Sequence, residues 1–203
     1  MDFSREHIHQ KAVDIISKCT VSGCMVGTSE SVTGGEIASS LTKVKGCSSV
    51  LFGSQVVYSP MAKAAFCNQP TKRILEVGTV SREIMDILLD CMGRRFFNQI
   101  IADDGYLRET SQIPSIFISV GTVGVAGKKV EDKETGFVIT GLRSWDVARV
   151  RDALTQPAKA PNSTPLLDQD HDIIKARSLD GTRREIILQA TSLVLDMILN
   201  VVP

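Results

Sequence analysis

Apolar residues recur at helical spacing near the start of the chain and predict an amphipathic helix over residues 8–19. After Gly23, the short apolar run 24–26 is typical of a buried strand. Residues 31–41 are predicted to form the next helix. The run 49–58, rich in Val, Leu and Phe, predicts a second strand. Strands and helices therefore alternate from the beginning of the chain.

The same alternation continues to the end. A short helix is predicted from Pro60, a residue that suits a first helical turn, and Ser81 is predicted to cap a long helix. Residues 98–112 are polar and irregular, which predicts a surface excursion. A capping box at Thr182 predicts a last helix. Further strands are predicted at residues 116–120, 136–142 and 173–176. This order predicts an α/β layered fold.

One stretch lacks any such pattern. Residues 157–170 contain three prolines and several polar residues, so we expect a mobile loop inserted in the fold. The 203 residues of the chain are enough for one domain with a substantial core. We therefore expect residues 1–203 to form a single domain that carries this insertion.

Composition excludes several classes of function. Lys and Arg together number 23, as do Asp and Glu, so a formal charge of zero does not support nucleic-acid binding. No apolar run is long enough to span a membrane, and the polar opening is unlike a secretory signal. Five cysteines without a C-x-x-C pair are typical of a reducing compartment. We expect a cytoplasmic protein with no membrane partner, no metal and no cofactor.

Three side chains form a candidate catalytic group. Ser31 is the leading nucleophile, but a serine hydroxyl needs an adjacent base. The three histidines lie on the predicted first helix and beside the predicted loop, which does not favour a Ser-His-Asp triad. Lys63, among apolar neighbours, serves as a base if burial lowers its pKa. Tyr58 would relay a proton or orient the hydroxyl. Taken alone, each residue is more typical of a structural role: Ser31 of a helix cap, Lys63 of a surface lysine and Tyr58 of the end of a strand.

Two glycine-rich turns are candidate binding sites. Thr33, Gly34 and Gly35 at a predicted helix start would bring amides close to a phosphate or carboxylate. The turn 121–127 follows a strand but matches neither a Walker loop nor a dinucleotide fingerprint. No Cys, His or carboxylate cluster has the spacing of a metal site.

In the first half of the chain, these segments resemble the CinA C-terminal domain family, also called the nicotinamide-nucleotide amidase family. Residues 29–35, S-E-S-V-T-G-G, are similar to its A-E-S-C-T-G-G motif, and residues 46–48 to its G-S-S. Residues 56–63 follow its V-x-Y-S-N-x-x-K pattern, and residues 78–81 its G-A-V-S turn. The first half of the resemblance is specific.

The second half resembles the family more loosely. Residues 123–128 are similar to its S/T-G-I-A-G-P, residues 135–138 to its V-G-T-V strand, and residues 181–183 to its G-D-R. The resemblance therefore covers nearly the whole chain in the right order. It implies a single domain with a central mixed sheet flanked by helices.

The resemblance also implies a reaction. Family members hydrolyse the carboxamide of nicotinamide mononucleotide to nicotinate mononucleotide and ammonia without a metal. By this resemblance Ser31 attacks the amide carbon, Lys63 is its base and Tyr58 assists. The residues implied to contact the substrate are Thr33, Gly34, Gly35, Ser48, Gly124, Gly127 and Arg183. Family members are commonly homo-oligomers, so a dimer or larger assembly is expected.

The chain departs from the family pattern mainly around the predicted nucleotide pocket. The departures are Ser54, Pro60, Met61, Val123, Lys128, Thr182 and Ile187. These departures leave two alternatives open. The protein could be a divergent homologue that binds a nucleotide or has a regulatory role without catalysis, or it could be an enzyme that acts on a related amide. A scaffold that binds partners through residues 157–170 is a third class, which nothing in the sequence favours. Ser48 stays open as an alternative nucleophile.

Overall fold

The computed structural model describes residues 3–103, 113–155 and 170–203, and it confirms the predicted α/β fold with a mixed central sheet. The strands are β1 (Cys24–Glu30), β2 (Leu51–Val56), β3 (Ile116–Gly124), β4 (Phe137–Asp146) and β5 (His171–Ser178). Seven α-helices lie within these ranges: α1 (Arg5–Ser22), α2 (Glu36–Thr42), α3 (Pro60–Phe66), α4 (Thr71–Val77), α5 (Arg82–Ala102), α6 (Val147–Thr155) and α7 (Arg183–Val201). A short 3₁₀ helix spans Cys47–Ser49.

The sheet has the strand order β2-β1-β3-β4-β5. β1 is parallel to both β2 and β3, whereas β4 is antiparallel to its neighbours β3 and β5. Glu30, the last residue of β1, pairs with Val56 of β2 and with Thr122 of β3. The carboxyl ends of three parallel strands therefore meet at one edge of the sheet, where ligands bind in open α/β folds.

Helices cover both faces of the sheet and complete a layered core. On one face, α1, α2 and α7 bury an apolar cluster against the strands. On the other face, α5 contributes to two clusters, one shared with α3 and α4 and one with α6. This arrangement explains why the buried strands carry continuous apolar runs.

Three glycines allow α5 to pack directly on the sheet. A Cβ at Gly27 would lie 2.7 Å from Met92, and one at Gly141 would lie 2.6 Å from Met85. Gly121, the partner of Gly141 in the β3–β4 ladder, faces the same Met85 side chain. A side chain at any of these positions would push the helix away from the strands that hold the site.

The helix caps predicted from sequence are confirmed. Ser81 accepts a hydrogen bond from the Ile84 amide at the start of α5. Thr182 and Glu185 form both hydrogen bonds of the predicted capping box at the start of α7. Pro60 occupies the first turn of α3, behind the N-cap Ser59. Each depends on residues within one helical turn, which is why local sequence was sufficient.

Two predictions about elements were wrong, and two helices were not predicted. The helix predicted from Ser31 begins only at Glu36, because residues 31–35 form a turn in which two glycines adopt positive φ. Residues 98–102 continue α5, since Ile100 packs in its apolar cluster. The two helices that were not predicted are α4 and α6.

Two further predictions concern segments that lie mostly outside the described residues. The predicted loop 157–170 lies outside them except for Asp170, as does most of the irregular stretch after α5.

In the ranges that the structure covers, no helix is both long and apolar enough to cross a membrane.

Candidate active site

Ser31 and Lys63 meet at the carboxyl edge of the sheet. Ser31 directly follows β1, and its amide donates to the Thr122 carbonyl 2.9 Å away on β3. Lys63 lies on α3, the helix that follows β2, and its Nζ is 3.0 Å from Ser31 Oγ. The Lys63 side chain is buried, with 2 % of its surface exposed. The two residues are brought together because β1 and β2 are parallel neighbours.

The surroundings of Lys63 increase the fraction of its side chain that is a neutral amine. Burial lowers the pKa of Lys63 from 10.5 to about 8, against a smaller opposing effect from Cys67 and Glu131. Its Nζ also lies 2.9 Å from the Val57 carbonyl and 3.4 Å from the Tyr58 carbonyl. The neutral amine has two N–H groups for these carbonyls, and its lone pair is then left for the Ser31 hydroxyl. Such an amine is a general base.

A buried carboxylate organises the turn that carries Ser31. Glu30 is fully buried and accepts five hydrogen bonds. Three come from the amides of Gly35, Ile37 and Ala38 at the start of α2, which would otherwise lack partners. The negative charge also suits the positive end of the helix. Glu30 therefore fixes α2 relative to β1, and Ser31 lies between them.

Two threonines supply the hydroxyl contacts of this network. Thr33 Oγ1 donates to Glu30 at 2.8 Å and lies 2.7 Å from the Thr122 hydroxyl of β3. Thr28 Oγ1 donates to Ser54, one of the departures from the family pattern, and to Glu30. Ser54 on β2 therefore extends the polar network of Glu30.

The glycines of the first turn have a backbone role in the structure. Gly34 and Gly35 adopt φ values of 62° and 103°, which let the chain turn sharply between β1 and α2. The Gly34 amide donates to the Ser31 carbonyl and the Gly35 amide to Glu30. Both amides are thus engaged within the chain, which does not support the anion-binding role predicted for them.

Tyr58, Arg183 and Gly127 form a cluster that joins the start of α7 to the segment after β2. Arg183 Nη2 donates to the Tyr58 hydroxyl at 2.5 Å, so the start of α7 contacts the segment after β2. Gly127 lies against the same guanidinium, because a Cβ there would be 2.8 Å from Arg183 Nη1. The Tyr58 ring is half exposed, and Tyr58 contacts Lys63 through its main-chain carbonyl.

Two predicted site residues have other surroundings. Ser48 precedes β2, whereas Ser31 follows β1, so they lie at opposite edges of the sheet, about 20 Å apart for strands of this length. Within one chain, Ser48 therefore does not share the site with Lys63 either as nucleophile or as a substrate contact. A Cβ at Gly124 would lie 2.8 Å from the Phe137 carbonyl, so this glycine is required for β3–β4 pairing.

The remaining departures lie away from the contact between Ser31 and Lys63. Val123 is fully buried in the core between α3, α4 and α5, and Lys128 extends into solvent. Thr182 keeps the N-cap function that an aspartate would have at this position. Neither Val123 nor Lys128 contacts Ser31 or Lys63 in the hydrogen bonds of the described residues.

Sequence reasoning missed three polar residues that hold the site. Glu30 could be recognised from the sequence, because it is an acidic residue shortly before a helix whose first amides need partners. The sequence offers no such signal for Thr122 or Glu131, because their partners are distant in sequence. Thr122 contacts Thr33, and Glu131 contacts Thr79. No group of three or more potential metal-binding side chains occurs in the part of the chain that the structure describes.

The α/β fold is similar to the folds of solved proteins that are described as members of the CinA superfamily. The competence/damage-inducible protein CihA from Agrobacterium tumefaciens is similar with a TM-score of 0.63, over 96% of this chain and 94% of that one, at 24% identity. A CinA superfamily protein from Escherichia coli is similar with a TM-score of 0.66, over 98% of both chains, at 12% identity. At these identities, the likeness shows the fold alone.

Sequence comparison supports the same resemblance. Residues 8–100 match the family model of the CinA C-terminal domain, so the predicted resemblance to this family is confirmed. A CinA-like protein from Prochlorococcus marinus (strain MIT 9515) is 46% identical over 59 residues, 29% of this chain and 14% of the relative. One from Koribacter versatilis (strain Ellin345) is 32% identical over 115 residues, 56% of this chain and 23% of the relative. The chain thus spans less than a quarter of the length of these two relatives.

Proposed function

We propose that this protein is a cytoplasmic amidohydrolase that converts nicotinamide mononucleotide to nicotinate mononucleotide and ammonia. The observation that carries the proposal is the buried contact of 3.0 Å between Lys63 Nζ and Ser31 Oγ. A lysine whose pKa is lowered to about 8 is partly neutral at physiological pH. The family resemblance supplies the substrate.

In the proposed mechanism, Lys63 removes the Ser31 proton as Oγ attacks the carboxamide carbon. The resulting ammonium form of Lys63 gives this proton to the leaving nitrogen, so ammonia departs and an ester between Ser31 and the nicotinoyl group remains. Lys63, neutral again, deprotonates a water molecule that hydrolyses the ester. The carbonyls of Val57 and Tyr58 keep the amine aimed at Ser31 throughout.

Recognition of the nucleotide is proposed for the second half of the chain. Arg183 is exposed at the start of α7, and guanidinium groups bind phosphate through paired N–H donors. Its contact with the Tyr58 hydroxyl holds the guanidinium beside the serine–lysine pair. A phosphate bound by Arg183 would lie next to the reactive serine, with Gly127 leaving space for the guanidinium.

The family resemblance implies that the proposed enzyme forms a homo-oligomer. Its edge strand β2 and the following helix α3 expose three apolar side chains, Val56, Met61 and Phe66. Contiguous exposed apolar residues of this kind are typical of contact surfaces between protein chains. Light scattering on the purified protein measures the assembly directly, and a monomer at micromolar concentration contradicts this part of the proposal.

The test is ammonia release from nicotinamide mononucleotide by the purified protein and its Ser31→Ala variant. We expect turnover in the wild type and none above background in the variant, because the substitution removes the hydroxyl that contacts Lys63 Nζ. Ser48→Ala is the matched control, since this exposed serine lies at the opposite edge of the sheet.

Two outcomes would contradict the proposal. Activity that persists in Ser31→Ala would remove Ser31 as nucleophile. A wild-type protein without turnover that still binds the nucleotide in calorimetry would identify the divergent, non-catalytic homologue instead. Because Ser31→Ala leaves Glu30 and the turn unchanged, its circular dichroism should match that of the wild type.

A further inference from the structure

A second pair of reactive side chains lies directly behind the proposed catalytic helix. Cys91 on α5 is buried, and its Sγ donates to the Phe66 carbonyl 2.9 Å away. Phe66 is joined by its peptide bond to Cys67, the C-cap residue of α3, whose half-buried thiol lies close enough to Cys91 to alter its pKa. Both cysteines are free thiols.

The surroundings of Cys91 lower the pKa of its thiol. Its neighbour Cys67 lowers the pKa of Cys91, and the Arg95 guanidinium lowers it further, while burial opposes both effects. The Gln55 amide nitrogen lies 4.0 Å from Cys91 Sγ, and the Gln55 oxygen is buried without a partner in the described residues. The thiolate is the reactive form of a cysteine, and a cation beside it is typical of redox-active sites.

An open groove lies next to this region. Gln55, Phe66 and Arg95, the residues that surround the Cys91 thiol, also line an open groove of about 680 Å³ between β2 and α5. The other neighbouring cysteines, Cys19 and Cys24, are both buried between α1 and β1, and no arginine contributes to their pKa shifts. Neither Cys19 nor Cys24 adjoins a residue that lines this groove, and the cation that contributes to the pKa of Cys19 is Lys18 rather than an arginine.

We propose that Cys67 and Cys91 form a reversible disulfide in response to hydroperoxides. The Cys91 thiolate attacks a peroxide oxygen, which breaks the O–O bond and gives a sulfenic acid and hydroxide. The Cys67 thiol then attacks the sulfenic sulfur, so that an S–S bond forms and water leaves. The cysteine pair loses two electrons, which reduce the peroxide to water.

The disulfide would act on the end of the proposed catalytic helix. The Cys67 amide donates to the Lys63 carbonyl 3.1 Å away, and Cys67 also contributes to the pKa of Lys63. Joining Cys67 to α5 therefore constrains the last turn of α3, the helix that carries Lys63. This regulatory consequence rests on the proposed function, whereas the modification site itself does not.

The modification is tested without any activity measurement. The reduced full-length protein is treated with one equivalent of hydrogen peroxide, denatured, and assayed for thiols and disulfide-linked peptides. We expect a loss of two of the five free thiols and one linked peptide that joins Cys67 to Cys91, both reversed by dithiothreitol. A linked Cys19–Cys24 peptide instead, or no linkage at all, overturns the proposal.

Single variants separate the two steps. In Cys67→Ser, Cys91 should stop at the sulfenic acid, which dimedone traps as a thioether. In Cys91→Ser, no linked peptide should form and Cys67 should stay reduced. Cys47→Ser, which removes a half-buried thiol at the opposite edge of the sheet, is the matched control and should leave the linkage unchanged. Trapping at Cys67 rather than Cys91 contradicts the assigned order.

The coupling to Lys63 needs its own measurement. Competitive labelling of amines across a pH series gives the pKa of Lys63 in the reduced and the oxidised protein. We expect the two pKa values to differ, and identical values overturn the coupling. If the disulfide forms and shifts this pKa but neither protein releases ammonia, the amidase proposal fails while the redox site stands.

Discussion

The two halves of the chain contribute to the site in different ways. The first half provides the reacting pair, Ser31 and Lys63, and the Glu30 carboxylate, all of them buried. The second half provides Arg183, which is exposed and contacts Tyr58 near the surface. The family model matches residues 8–100, within the first half.

This difference has a physical cause. A buried group with several fixed hydrogen bonds loses most of its partners when it is replaced, whereas an exposed group keeps water as an alternative partner. Departures from the family pattern such as Lys128 are therefore tolerated at the surface. We expect substitutions in the first half to have larger effects than substitutions in the second.

The largest effect is expected for Lys63→Ala. Loss of the general base should lower kcat by about 10²- to 10⁴-fold, the usual contribution of such a group. Lys72→Ala removes an exposed lysine from the neighbouring helix α4 and should leave kcat unchanged. Equal losses in the two variants would mean that the effect is not specific to the contact with Ser31.

Glu30→Gln should follow in size and should act on stability as well as activity. The amide nitrogen of glutamine would face N–H and O–H donors, so about 2–4 kcal/mol of unfolding free energy should be lost. Urea titration measures this loss. Glu36→Gln changes the first residue of α2, outside the Glu30 hydrogen-bond network, and is expected to cost less than about 0.5 kcal/mol.

The dependence of kcat/KM on pH should distinguish the proposed lysine base from other mechanisms. The active form is the neutral amine, and burial lowers the pKa of Lys63 to about 8. Activity should therefore rise about tenfold per pH unit below this value and level off above it. A profile that is flat between pH 6 and 9 would contradict a catalytic role for Lys63.

The smallest effect is expected in the second half, for Arg183→Ala. Loss of a charged phosphate contact should raise KM for nicotinamide mononucleotide by about 10- to 100-fold, while kcat changes little. Arg184→Ala, at the next position of α7, serves as the control and should leave KM unchanged. A large fall in kcat would assign Arg183 to the reaction itself, which would remove the contrast between the halves.

Much of the fold could be predicted from local patterns. The alternation of strands and helices, the Ser81 cap and the capping box at Thr182 were all predicted and are present. The turn at residues 31–35 was not, because Ser31 also suits the N-cap position of a helix. Only the positive φ of Gly34 and Gly35 and the carboxylate of Glu30 hold it open.

The candidate site, like the fold, could be predicted only in part from the sequence. Motif resemblance selected Ser31, Lys63, Tyr58 and Arg183 without any knowledge of distance. It also selected Ser48, which the parallel pairing of β1 and β2 places at the other edge of the sheet. Residues with the same motif support can therefore lie together or far apart, depending on strand order.

The sequence by itself determined the order of elements, their caps and the residue types available for chemistry, since these depend on neighbours within about one helical turn. Only the tertiary structure decided that Lys63 meets Ser31, that Glu30 occupies the amides of α2, and that Cys67 lies beside Cys91. These contacts require strands and helices distant in sequence to pack side by side. Packing also buries the lysine, and burial is what lowers its pKa.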